Sequence, residues 1–288
     1  MDEVVTCSYG DHPLQKVKVW NYDAENLNTY IYIHGGAWRD ASNTFDELEP
    51  VAELNRESTF FGINYRLSPE IKHPLHLIDI GNALFYIATK FKVGKLHLLG
   101  YSVGATMILQ LFRYFDIIEQ GFLALKITND FEKVTKEVER YMASTQKREF
   151  KSMVKTGKLS FTSVKFLDGI YDASSLIKEY PSYSSFILDA FPSINCAKSS
   201  ISLPSLLTKE NLFENKFINE NTKLIICQSL EDDLLSMNQT KHLIDFLVSK
   251  QLGFSLHTGN WGKHDDIYGD QRNKVFVGDS VILCYTKS

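Results

Sequence analysis

Several absences narrow the field before any motif is considered. No apolar run approaches the roughly 18 residues of a membrane-spanning helix, so no membrane span is expected. Positive charge is not in excess: 31 Lys and Arg against 35 Asp and Glu leave a formal net charge of −4. That is the wrong sign for a surface that condenses on phosphate backbones or anionic lipid, and neither nucleic acid nor membrane is an expected partner. Cysteine is sparse, four residues (Cys7, Cys196, Cys227, Cys284) without the close pairs of a zinc site or a disulfide framework. They read as small buried hydrophobes. The opening Met1-Asp2-Glu3 lacks the positive and apolar regions of a secretory signal, and the expected compartment is the reducing cytoplasm. Neither an internal repeat nor a low-complexity tract is present.

What is there is 288 residues, 44% hydrophobic and 23% charged, enough chain for a large core in a single α/β domain. Short apolar runs alternate with segments of helical period, a pattern that argues for βαβ units and a mostly parallel sheet flanked by helices. The expected strands are Tyr30 to Ile33, Thr59 to Asn64, Leu96 to Leu99, Val164 to Leu167, Leu224 to Cys227 and Phe254 to His257. Leu77 to Phe91 and Gln239 to Val248 read as amphipathic helices, and Val103 to Tyr114 as a helix buried on nearly all sides. From about Phe115 to Ser160 charged residues dominate, which predicts a helical insertion after the buried helix, either a solvated excursion or a cap over a pocket. Pro181 to Leu207 reads as loops with short helices.

The sharpest local signal is Gly100-Tyr101-Ser102-Val103-Gly104, a G-x-S-x-G between an expected strand and an expected helix. With 25 serines and 16 glycines in 288 residues, chance supplies about 0.08 such matches, and the strand-to-helix context lowers that further. A serine hydroxyl needs a base, and the base needs a carboxylate. In the chain order serine, acid, histidine, the loop Glu231-Asp232-Asp233 supplies the acid, Asp232 ahead of Asp233. The loop Gly259 to Asp266 supplies His264 as base, with His257 as its rival. Upstream, His34-Gly35-Gly36-Ala37-Trp38 ends an early strand and suits an oxyanion turn, with the Val103 amide as a further donor. His34 itself reads as a hydrogen-bonder that holds the turn.

These residues resemble the α/β-hydrolase superfamily, in its His-Gly-Gly-x-Trp branch. Tyr65 to Glu70 (YRLSPE), His73-Pro74 and Asp79 are similar to the segment that the branch carries between oxyanion loop and elbow. Narrower similarity, in HGGAWRD from His34, FLDGIYD from Phe166, EYPSY from Glu179 and HDDIY from His264, is to the fungal kynurenine formamidases. The resemblance spans about residues 30 to 268 and thins across 115–160. It implies an α/β-hydrolase fold, a homodimer, and hydrolysis of the small molecule N-formyl-L-kynurenine to L-kynurenine and formate, a step of tryptophan degradation that supplies NAD synthesis. It also implies no metal and no organic cofactor. Residue by residue it implies Ser102 as nucleophile, Asp232 as acid, His264 as base and the amides of Gly36 and Ala37 as oxyanion donors. Two features depart from the pattern: Tyr101 stands where His is expected, and the 115–160 insertion is long. Trp38 is either a pocket wall or a plain packing residue, and Arg39 and Asp40 are candidates for the substrate's ionic groups. A general carboxylesterase with a wider acyl pocket and a non-catalytic scaffold are the rival readings.

Overall fold

Nine strands form one sheet in a computed structural model that describes residues 4–129, 131–202, 207, 212–278 and 283–285. The strands are β1 (Val5–Ser8), β2 (Lys16–Trp20), β3 (Asn28–Ile33), β4 (Thr59–Asn64), β5 (Lys95–Tyr101), β6 (Phe161–Leu167), β7 (Lys223–Ser229), β8 (Phe254–Gly259) and β9 (Leu283–Tyr285). Their spatial order is β1-β2-β4-β3-β5-β6-β7-β8-β9. The run from β4 to β8 is parallel, while β1, β2 and β9 pair antiparallel at the two edges.

The six expected strands are the parallel block, and all but the half-buried β8 are mostly buried on both faces, with alternate side chains entering opposite layers. Ile31 and Ile33 of β3 enter the larger core and Tyr32 the smaller; Leu98 and Leu99 of β5 divide likewise, as do Ile226 and Cys227 of β7. The larger core is closed by the helices Leu75–Lys90 and Val103–Phe112, all ten residues of the latter being buried. That second helix stops before Arg113, whose non-helical backbone separates it from a new helix at Tyr114, so the expected single run to Tyr114 is two helices. Residues 114–155 form three helices, Tyr114–Thr128, Glu132–Ala143 and Thr145–Lys155. The middle one buries Val134, Val138 and Tyr141, one stripe at helical spacing. Over 181–202 the short helices Ser184–Ala190 and Ile194–Ile201 follow a turn; residues 203–206 of the expected loop lie outside the described residues. No described helix is long and apolar enough to cross a membrane.

The strand order reverses between β3 and β5, and such a switch point opens a crevice at the carboxyl ends of parallel strands. Register pairs Ile33 with Gly100. The His-Gly-Gly turn and the G-x-S-x-G turn therefore leave adjacent strands at the same height.

Candidate active site

The turn after β5 is tight because the helix behind it sits against the neighbouring strand. A Cβ on Gly104 would lie 2.1 Å from the carbonyl oxygen of Ile33, so only glycine fits there. Ser102 takes φ 54° and ψ −119°, and its side chain projects from the turn between strand and helix. Its amide donates to Leu167 at the end of β6 (2.8 Å), which ties the elbow to the next strand.

Loops after β7 and β8 bring the other two groups to it. The Ser102 hydroxyl lies 3.0 Å from Nε2 of His264, and Nδ1 of His264 donates to Oδ2 of Asp232 at 2.7 Å. Asp232 is fixed in turn: Oδ1 accepts from the amides of Leu234 (2.9 Å) and Leu235 (2.8 Å). With Nδ1 donating to the carboxylate, Nε2 is left with its lone pair toward the serine. Burial works against a charge on His264, but the hydrogen bond and charge of Asp232, followed by the charges of Asp168 and Asp265, outweigh it and raise its pKa above the ordinary imidazole value. Asp233 points away, half exposed, with Lys263 Nζ at 3.5 Å. His257 sits inside β8 opposite Cys227, outside the cavity lining.

On the other side of Ser102 lies the turn after β3. Gly36 has φ 90°, and a Cβ there would come within 2.9 Å of the Asp40 carbonyl oxygen. Ala37 and Trp38 follow at φ 48° and 58°. The amides of Gly36, Ala37 and Val103 donate to no described protein atom, and all three residues line one cavity of about 290 Å³. His34 is stacked on Tyr65 and donates from Nδ1 to the Gly35 carbonyl at 3.0 Å; the Tyr65 hydroxyl donates to that carbonyl at 2.9 Å. Burial pushes the His34 pKa down to about 4, so the ring is neutral and serves the turn. Trp38 is buried behind the cavity against Phe186 and Phe191, and it is Phe186 that lines it.

The remaining walls are Tyr183, Ile170, Leu234 and Leu235, with Arg39, Asp40 and Asp265 as charged groups. Arg39 donates from one guanidinium nitrogen to Asp189 (2.8 Å) and Ser185 (3.1 Å). Asp40 accepts from the amide and hydroxyl of Ser42, which lower its pKa. None of the helices between 114 and 155 contributes a lining residue.

A serine hydroxyl, an imidazole and a buried carboxylate in line, beside unused amides, are the parts that acyl transfer requires. Comparison with known proteins places the chain in a family. The BD-FAE family matches residues 19–115. The kynurenine formamidase of Scheffersomyces stipitis is 37% identical over 269 residues, which cover 91% of this chain and 94% of that protein. The chain belongs to the kynurenine formamidase family. A second member, from Debaryomyces hansenii, is 34% identical over 98% of this chain and its whole length. Among solved structures, a thermostable esterase from Pseudomonas putida aligns with a TM-score of 0.57 over 95% of this chain and 78% of its own, at 15% identity. The fold is that of the α/β hydrolases.

Two residues of this formamidase-family site have roles that were not read from the sequence. Asp168, directly after β6, is buried within the site, and the Tyr268 hydroxyl donates to it. Tyr101, whose identity departs from the expected His, donates its hydroxyl to the backbone carbonyl of His264. Both partners lie far along the chain, 100 and 163 residues away, and the available signal was their place beside the motifs FLDGIYD, HDDIY and G-x-S-x-G.

Proposed function

We propose that this chain hydrolyses N-formyl-L-kynurenine to L-kynurenine and formate, in the kynurenine route of tryptophan degradation. Ser102 is the nucleophile, His264 the general base and acid, and Asp232 its carboxylate partner. What carries the reading is the hydrogen-bonded line from Ser102 through His264 to Asp232, at 3.0 and 2.7 Å, in a chain 37% identical to a kynurenine formamidase.

Nε2 of His264 takes the Ser102 proton as Oγ attacks the formyl carbon. The carbonyl oxygen becomes an oxyanion, for which the amides of Gly36, Ala37 and Val103 are the donors. The imidazolium then gives its proton to the arylamine nitrogen as the C–N bond breaks, leaving a formyl ester on Ser102 and free L-kynurenine. Water attacks the ester while His264 takes its proton; the C–O bond breaks, formate leaves, and the proton returns to Ser102. Asp232 holds the tautomer and offsets the imidazolium charge.

Substrate fit supports the same reading. A cavity of about 290 Å³ is at the small end of ligand sites, roughly 300–1,000 Å³, and suits a compact acyl group with one aromatic ring. Tyr183 and Phe186 supply aromatic walls. Arg39, its guanidinium braced by Asp189, is assigned to the α-carboxylate, and Asp40 to the α-ammonium. A cytosolic setting fits the free, buried thiols of Cys196 and Cys227.

The test compares kcat/KM on N-formyl-L-kynurenine and p-nitrophenyl acetate for the wild type and Ser102→Ala. The formamide is the preferred substrate, and Ser102→Ala lowers kcat by about 10⁴ to 10⁶. A preference for the ester discards the substrate and keeps the triad; native activity in Ser102→Ala discards the mechanism.

A further inference from the structure

At the carboxyl end of β6 stands a carboxylate that the reaction above does not use. Asp168 is 1% exposed and holds φ 41°, a backbone conformation that an L-residue keeps only when its surroundings enforce it. One carboxylate oxygen accepts from the amide of Ser229 at 2.8 Å, where the loop to Asp232 begins. The other accepts from the hydroxyl of Tyr268, just beyond His264. An oxygen of Asp168, an oxygen of Asp232 and a ring nitrogen of His264 all lie within 4.8 Å of one another.

Burying a carboxylate is costly unless an opposite charge or donors compensate it. A tie between two loops needs hydrogen bonds, which an uncharged amide could supply, so the charge calls for a separate reason. The group beside it that becomes cationic during turnover is His264. We propose that Asp168 is a second carboxylate partner of His264, a positioning residue that joins the loops of Asp232 and His264 and sets negative charge beside the imidazole.

Two carboxylates then favour the imidazolium, the form that must persist until the leaving nitrogen is protonated. Burial and the charge of Asp232 push the Asp168 carboxyl up to about 7, so Asp168 and His264 take up protons as a coupled pair near neutrality. The groups facing Asp168 are Asp232 and His264, Tyr268 and Tyr101, with Tyr171 and Cys227 behind. His264 additionally meets Asp265 of its own loop and the Ser102 hydroxyl. Replacing the Asp168 charge leaves Asp232 and Asp265 acting on the imidazole and lowers its proton affinity.

Only the consequence for turnover rests on the proposed function, so the test reads the imidazole in two ways that need no substrate. Covalent labelling of Ser102 by a fluorophosphonate is followed against pH in wild type and Asp168→Asn. The acidic limb of the rate moves to lower pH in the variant. One pH unit below the wild-type midpoint, labelling relative to each protein's own plateau rises about threefold to fivefold. A lower plateau with an unmoved midpoint reduces Asp168 to a structural tie and overturns the proposal. NMR titration of the His264 ring protons in Ser102→Ala, with and without Asp168→Asn, gives the same shift independently of the serine. A wild type that resists labelling while this shift is present would fault the nucleophile and not Asp168. Where circular dichroism shows that Asp168→Asn does not fold, Tyr268→Phe replaces it. Loss of that donor disfavours the charged carboxylate, the midpoint moves the same way, and an unmoved midpoint there overturns the proposal.

Discussion

Exchanging Asp232 for Asn changes one oxygen to an amide nitrogen with almost no change of shape, and the structure fixes how the new side chain must sit. Oδ1 of Asp232 accepts from two amides, Leu234 at 2.9 Å and Leu235 at 2.8 Å, while Oδ2 accepts from His264 Nδ1 at 2.7 Å. The two amides need an oxygen, so the Asn carbonyl stays with them and its NH₂ turns to the imidazole. Nδ1 must then accept, the ring proton moves to Nε2, and the Ser102 hydroxyl 3.0 Å away faces a donor where it needs a base. The loss in kcat is expected to be about 10⁴-fold, or roughly 5.5 kcal/mol of transition-state stabilisation, with KM nearly unchanged. Asp233→Asn is the control. Its half-exposed carboxylate is 3.5 Å from Lys263, a surface pair worth about 0–1 kcal/mol, and kcat should stay within about threefold. Steady-state formate release by both folded variants decides the matter. A loss in Asp233→Asn that equals or exceeds that in Asp232→Asn would refute the assignment and the tautomer argument together.

Three further outcomes follow from the packing. The Arg66 side chain donates to the fully buried Asp79 from Nε (2.9 Å) and a terminal nitrogen (2.7 Å), and to Glu137 at 2.6 Å; Arg66→Ala leaves the buried carboxylate its Gln15 and backbone-amide donors but removes its cation, which costs about 3–5 kcal/mol in urea unfolding, and a loss below about 1 kcal/mol would contradict the burial argument. Gly36→Ala forces a Cβ to φ 90° and against the Asp40 carbonyl; kcat should fall by about 10² to 10³ with the fold kept, and undiminished turnover would remove the β3 turn from the oxyanion assignment. Burial pushes the pKa of His34 down to about 4 and of His73 down to about 3, and lowers His76 as well. Between those values and about 6.5 the unfolded chain binds protons that the folded chain does not, so stability is complete above about 6.5 and is lost as pH falls through that window. His264, Asp168 and Glu47, all raised, act in the opposite sense: their contributions are full at low pH and are lost as pH rises through their folded values. The three lowered rings together outweigh the raised groups, so Tm should fall between about pH 7 and pH 5; a Tm that holds or rises over that interval would refute that balance.

Legibility in the sequence followed the range of the interaction. The parallel strands and the elbow announce themselves because their signals are local: apolar alternation, a glycine pair around a serine, a strand running into a helix. Strand β2, Lys16-Val17-Lys18-Val19-Trp20, alternates just as plainly but is short and charged on one side, as an edge-side strand is. Strand β1 is mostly exposed and offers almost no apolar signal. The break at Arg113 is invisible to periodicity because both flanking helices are apolar. Ser102, Asp232 and His264 could be named from order and loop placement, whereas Asp168 could not, since its meaning comes from Ser229 and Tyr268, 61 and 100 residues away. The Tyr183 and Phe186 walls were hidden for the same reason: a cavity lining is a property of tertiary approach and leaves no spacing to read.

Nine described residues other than glycine have positive φ, and six of them, Ala37, Trp38, Ser102, Asp168, Ile267 and Tyr268, belong to the turns around the site. Each such residue costs up to about 1–3 kcal/mol and stays in place only while its neighbours enforce it. The orientation of the hydroxyl, the amides and the imidazole is therefore held by the folding of the whole sheet and is complete before substrate arrives. A local arrangement of this kind is the first to relax when packing loosens. On heating, turnover should fade some degrees below the temperature at which the sheet itself melts, and the interval between the two would measure how much of the chain's stability is committed to keeping those turns closed.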